Sequence, residues 1–150
     1  MDDFQTKLNI LTDMLIKKKA LLTQIETITE NQEGILLSPF AAGEEGALFF
    51  NGLNDEKQKL IELVLEADRL FQKMFDDSKD EFDNRAGDFK DEIQALKDHI
   101  KEIVELDSRI RIREEKNKML LEKTRPKKKI DTSGANKSHV LKQYEKNKNF

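Results

Sequence analysis

Cysteine is absent from the 150-residue chain, and the turn-forming residues are scarce, with 6 glycines and 2 prolines. The absence of cysteine excludes disulfides, thiolate-ligated metal sites and thiol nucleophiles. So few turn-forming residues do not suit a many-stranded sandwich or barrel. The apolar runs are short and interrupted by charge, and the amino end, MDDFQTKLN, is acidic where a secretory signal would be basic. We therefore expect a cytoplasmic protein of the all-α class.

The residues of phosphate, metal and acid-base sites are also few. His99 and His139 are the two histidines, and neither belongs to a His-Glu-x-x-His pair or a di-iron helical motif. The glycines do not form a phosphate-binding loop. Carboxylates are numerous, but on exposed helices they mostly pair with Lys or Arg one turn away. We expect no enzymatic activity, no metal and no cofactor.

The net charge of -3 conceals two opposed parts. From residue 123 onward the chain carries +7, and the first 122 residues carry -10. An acidic body with a basic tail indicates either a chain with two functions or a tail that meets a different partner from the body. The basic residues of the tail are Lys123, Arg125, Lys127, Lys128, Lys129, Lys137, Lys142, Lys146 and Lys148.

Apolar residues recur at alternating spacings of four and three along three segments, which is the seam of a coiled-coil-like helix. Lys18 and Asp107 interrupt these seams, as buried register-setting groups or as solvent-facing residues. A turn at residues 84–88 is favoured over one continuous helix, which would need a dimer partner. We therefore predict an elongated antiparallel three-helix bundle over residues 1–122. Its helices cover residues 3–33, 54–84 and 88–123.

Residues 34–53 contain four of the six glycines and many apolar side chains. We predict a long apolar loop here, because the helical pattern is lost. Its apolar residues either cap one end of the bundle or form a partner-binding patch. The candidates for partner binding in this loop are Phe40, Phe49 and Phe50.

Pro126 ends the third helix and begins a basic, polar segment that predicts a flexible tail at residues 124–150. The stretch 138–150 is too short to form a stable helix alone but places apolar residues on one face. It is either a segment that orders on binding or an inert end. Its candidate partner-binding residues are Val140, Leu141, Tyr144 and Phe150.

Residues 55–62, DEKQKLIE, continuing through Asp68-Arg69-Leu70-Phe71 to Phe75, resemble the second helix of flagellar export chaperones of the FlgN type, in particular the clostridial FlgN/FliT-like group. The ending at residues 136–147 is similar to the tails of those proteins. The resemblance implies a type III export chaperone in the cytoplasm. Its partners would be hook-filament junction proteins and the export gate. The resemblance also implies that the carboxy-terminal segment contacts the client.

Two other function classes stay open. The chain could be a structural coiled-coil or oligomerisation protein whose third helix pairs between chains. The sequence leaves open whether the chain is a monomer or a dimer. It could instead associate with nucleic acid through its basic tail, although the acidic body would repel a polyanion. A membrane-surface role for the tail has only a small apolar face to support it.

Overall fold

The computed structural model describes residues 3–39 and 41–124, and they form an all-α bundle of three long helices. Helix α1 covers Asp3–Leu36, α2 covers Glu44–Asp77 and α4 covers Lys90–Thr124. The short helix α3, Lys79–Arg85, and a 3-10 turn, Ala86–Phe89, connect α2 to α4. At about 1.5 Å per residue each long helix is roughly 50 Å long. The predicted fold class is confirmed.

Contacts between the helices show how the bundle is arranged. Lys18 contacts Asp68 and Thr29 contacts Lys57, so α1 and α2 are antiparallel. Glu26 contacts Arg109 near the middle of both α1 and α4, and Leu36 and Leu121 pack together at their carboxyl ends, so these two helices are parallel. Helix α1 makes the extensive contacts of the bundle, with α4 on one side and α2 on the other.

The α1 seam forms the centre of the core. Every seam position from Phe4 to Leu36 is buried, at spacings of four and three residues. Large apolar side chains from α2 and α4 pack against its first two thirds, where they form the main core cluster. The buried residues of that cluster on α2 and α4 are Ile61, Val64, Phe71, Leu96, Ile103, Leu106 and Ile110.

Aromatic rings close the end of the bundle at which α1 begins. The Phe4 ring stands edge-on to the rings of Phe82 and Phe89, with centroids 5.2 Å and 5.3 Å apart. The Arg85 guanidinium lies over the Phe4 and Phe89 rings, 5.8 Å and 5.4 Å from their centroids. Edge-to-face rings and a stacked cation are favourable beyond the apolar area they bury. The α2–α4 connection therefore folds onto the start of α1.

A ladder of ion pairs runs along the α1–α4 contact. It joins Lys19 to Glu102 at 2.5 Å, Glu26 to Arg109 at 2.9 Å and Glu33 to Lys116 at 2.7 Å. Successive pairs are one heptad apart on each helix. The sign of the charge on α1 changes after the first pair. A slip of one heptad in either direction would therefore place one pair of like charges together, which supports the observed register.

Two predicted boundaries are wrong. Helix α2 begins at Glu44 instead of residue 54, so the connection after α1 is short and residues 34–53 are not one long loop. Packing of Phe50 against Leu36 and Leu121 overrides the poor helix propensity of the glycines in this stretch. The helix also ends at Asp77, before the predicted residue 84, and Ser78 begins the connection. The chain does turn between the second and third long helices, as predicted.

Truncation of a seam residue of α1 tests whether this helix forms the core. Leu22→Ala removes a fully buried side chain, at 0% exposure, and leaves a cavity. We expect the free energy of unfolding to fall by about 2–5 kcal/mol, measured by urea denaturation. Ile112→Ala is the control, because Ile112 is 72% exposed and its truncation should change stability by less than about 0.5 kcal/mol. Equal losses from the two variants would contradict the assignment of the core.

Candidate functional site

The end of the bundle opposite the aromatic rings holds a small apolar cluster of its own. Leu36, Phe50 and Leu121 are buried there, one from each long helix, and Ile35 and Leu120 pack against them. Phe50 is 3% exposed. Phe50, a predicted partner-binding candidate, therefore lies in the end cap of the bundle. Capping was the alternative role predicted for the apolar residues of 34–53.

Three exposed apolar side chains adjoin residues of this cluster in sequence, and we call them the end patch: Leu37, Leu48 and Phe49, with exposures of 63%, 72% and 70%. Neighbouring residues on a helix point about 100° apart. Burial of Phe50 on the seam of α2 therefore turns Phe49 and Leu48 outward. Adjacent exposed side chains of this size are the usual mark of an interaction site, whereas scattered ones are not.

The surroundings of the end patch are acidic on α2. Glu44 and Glu45 are exposed in the first turn of α2, within five residues of Phe49. Helix α4 ends at Thr124 on the same end of the bundle, one turn after Leu121. The strongly basic sequence from Arg125 therefore follows directly from the end that carries the acidic turn and the end patch.

The other predicted site residues are not described by the structure. Phe40 and the four tail candidates Val140, Leu141, Tyr144 and Phe150 lie outside residues 3–39 and 41–124. The whole predicted docking segment 138–150 lies outside them too. Of the seven predicted residues, the structure thus places Phe49 on the surface and Phe50 in the cap.

A layer of buried polar residues separates the end cap from the main core, and we call it the Lys57 layer. The Lys57 ammonium donates to Gln32 Oε1, to Glu114 Oε1 at 2.6 Å and to Thr29 Oγ1 at 3.5 Å. Asn117 Nδ2 donates to the Thr29 carbonyl at 3.0 Å. Its Oδ1 is buried without a hydrogen-bond partner among the described residues. These five residues are between 0% and 5% exposed, so the layer is shielded from bulk solvent and nearly fully paired.

A second buried layer, the Lys18 layer, lies nearer the middle of the bundle. Lys18 Nζ is 2.6 Å from Asp68 Oδ1, and Asp107 Oδ2 is 3.4 Å from Arg111 Nε. With the half-buried Arg111 counted in the Lys18 layer, each layer holds equal numbers of positive and negative groups. Such pairs fix which helix positions face one another, because an unpaired charge at a seam position would be strongly unfavourable.

Burial opposes the charged forms in both layers. It lowers the pKa of Lys18 and of Lys57, and the partner carboxylates Asp68 and Glu114 oppose that shift. Burial likewise raises the pKa of Asp68, against the effect of Lys18. Desolvation is the largest cause in each case, and replacement of a buried ion pair by well-packed apolar residues often leaves stability unchanged or raises it.

Part of this polar arrangement was missed from the sequence. The sequence pattern places Lys18 and Asp107 on the seams. For the second helix it predicts a seam that includes Leu60, Val64, Ala67 and Phe71, of which Val64 and Phe71 are buried and Leu60 and Ala67 are half-buried. The buried seam of α2 includes Lys57 and Asp68. The signal was their heptad spacing: Lys57 lies seven residues before Val64, and Asp68 lies seven after Ile61.

The described residues contain no group of three or more His, Cys, Asp or Glu side chains that could hold a metal ion. His99 lies on the α1–α4 contact, where its Nδ1 is 3.3 Å from Lys19 Nζ. Among residues 3–39 and 41–124, no helix has both the length and the apolar character needed to cross a membrane.

Comparisons of the chain with protein-family models, with curated proteins and with solved structures returned no match.

Substitutions in the Lys57 layer test its pairing. Lys57→Met leaves the Glu114 carboxylate buried without its cation, and we expect unfolding free energy to fall by about 3–5 kcal/mol in chemical denaturation. The triple variant Gln32→Leu, Lys57→Met, Glu114→Met replaces the buried ion pair and its glutamine partner with apolar side chains, while Thr29 and Asn117 remain. Its free energy of unfolding should equal that of the parent protein or exceed it by up to about 4 kcal/mol. If the single and triple variants lost the same stability, the layer would not act as a paired unit.

Proposed function

We propose that the protein is a flagellar export chaperone of the FlgN type, acting in the cytoplasm. Its client would be a hook-filament junction protein, held by an apolar helix that would otherwise aggregate or assemble early. The observation that carries the proposal is the end patch, in which Leu48 and Phe49 are adjacent and 72% and 70% exposed at the end of the bundle from which the basic tail sequence follows.

The end patch suits a client that must later be released. Three exposed side chains make a contact of limited size, and small interfaces are typical of transient complexes. The tail candidates Val140, Leu141 and Tyr144 would add a second contact from the same end. A segment that orders when it binds loses conformational entropy, which weakens binding and makes it reversible. Patch and tail together would hold the client, and either alone would hold it weakly.

Structural oligomerisation is the second candidate, and one observation favours it. Ile112 and Met119 lie one heptad apart on the outer face of α4, with exposures of 72% and 54%. A partner helix could pack along this face. Two apolar residues flanked by Glu115 and Lys116 make a narrow seam, however, and a stable coiled coil needs several heptads.

Calorimetric titration separates the two candidates. We expect the full-length protein to bind a hook-filament junction protein from the same genome one-to-one, with micromolar or tighter affinity. Truncation after Lys123 should reduce the affinity. Light scattering on each sample reports the oligomeric state. Absence of binding by both proteins, together with a stable homodimer, would reject the chaperone proposal and favour the structural one.

Single substitutions in the tail test its share of the contact. Leu141→Ala and Tyr144→Ala should each weaken client binding in the same titration, because they remove apolar area from the segment that docks. Their melting temperatures should equal that of the parent protein. A drop of several degrees would instead mean that the tail packs into the core.

A matched pair of surface substitutions tests the end patch. Phe49→Ser and Ile112→Ser replace side chains of nearly equal exposure, 70% and 72%, in different places. We expect Phe49→Ser to weaken client binding by about tenfold, as for loss of an aromatic contact residue worth about 1.4 kcal/mol or more. Ile112→Ser should leave it unchanged. Weakening by Ile112→Ser alone would move the client to the outer face of α4.

A further inference from the structure

The first three turns of α2, residues 44–56, are intrinsically weak as a helix. They contain Gly46 and Gly52, each of which destabilises a helix interior by about 1 kcal/mol relative to alanine. Asn51 and Asn54 are also poor helix formers. The capping position is Gly43, which makes no side-chain hydrogen bond to the first turn. We call residues 44–56 the arm, and its helix must be held by packing.

That packing is sparse. Gly46 and Phe50 are the buried residues of the arm, and the other eleven are exposed or half-buried. Phe50 contributes to the end cap with Leu36 and Leu121, a cluster of three buried side chains that is separate from the main core. By contrast, the next turns of α2 bury Ile61, Val64 and Phe71 within the main core. The arm therefore has far less apolar burial per residue than the rest of α2.

The Lys57 layer lies at the boundary between the arm and the rest of α2. Its ion pair is buried, and burial lowers the pKa of Lys57. Water that enters when the arm lifts would solvate Lys57, Glu114 and Asn117, whose Oδ1 is buried without a hydrogen-bond partner among the described residues. Hydration of these groups offsets part of the loss of the end cap, because buried charges regain solvation when they are exposed.

We propose that the arm opens as a unit from α1 and α4, with the Lys57 layer as the boundary of the opening, while residues beyond Ile61 stay packed. Opening exposes Phe50, which follows Leu48 and Phe49 on the arm, and uncovers Leu36 on α1 and Leu121 on α4. The exposed apolar area at this end of the bundle is therefore larger when the arm is open than when it is closed. This conformational device does not rest on the proposed chaperone function, since it belongs to the free protein.

Hydrogen exchange of the full-length protein, followed by mass spectrometry or NMR, tests the opening. Amides of residues 48–56 should exchange faster than those of residues 61–75, through an opening smaller than global unfolding. Gly52→Ala should slow exchange in the arm by about fivefold, because alanine favours the closed helix. A Cβ at Gly52 has no atom within 4 Å, and no glycine in the described residues has a positive φ, so the alanine fits without strain.

Gly34→Ala is the matched control. Gly34 is also an exposed helical glycine with no atom within 4 Å of a built Cβ, but it lies in α1. This variant should leave arm exchange relative to residues 61–75 unchanged. The proposal is overturned if the parent arm exchanges as slowly as residues 61–75, or if Gly52→Ala and Gly34→Ala slow the arm equally.

Discussion

The seam of α1 is the constraint on which the rest of the bundle depends. Both other long helices pack against this one helix, so each seam position of α1 must suit two partners at once. Apolar residues meet this condition over the first two thirds of the helix, where nearly all of the main core lies. Where the seam becomes polar, at Lys18 and again at Thr29 and Gln32, both neighbours supply polar or charged groups at the same level. The polar layers on α2 and α4 thus follow from residues on α1.

These layers divide the bundle into parts of different stability. Between Phe4 and Ile25 the core is continuous, apart from the Lys18 layer, and is closed by aromatic rings at one end. Beyond the Lys57 layer, the three buried residues of the end cap pack the helices together over a much shorter stretch. Buried ion pairs fix register well but add little net stability, so the protein gains a defined alignment and keeps one weak end. The exposed apolar residues Leu48 and Phe49 lie on that weak end.

Much of this architecture could be predicted because heptad spacing is a local property. The fold class, three long helices, the turn before α4 and the α4 seam all follow from residues within a few turns of one another. The start of α2 could not be predicted in the same way. Residues 44–53 are rich in glycine and form a helix because Phe50 reaches Leu36 and Leu121, which are distant in sequence. The burial of Lys57 and Asp68 was equally hidden, since their partners Glu114 and Lys18 lie on other helices. For the candidate site, sequence reasoning selected Phe49 and Phe50 together, and their opposite exposures emerge only when the helix is in place.

The constant offset of the ion-pair ladder has an evolutionary consequence. Lys19, Glu26 and Glu33 each lie 83 residues before their partners Glu102, Arg109 and Lys116. An inserted or deleted residue within α1 or α4 would shift every later rung and seam position on that helix to a different face. The connection at residues 78–89 is under no such constraint from the ladder, because its length changes the count between partners without rotating either helix. Among relatives of this protein, changes of length should therefore be purged from the two parallel helices.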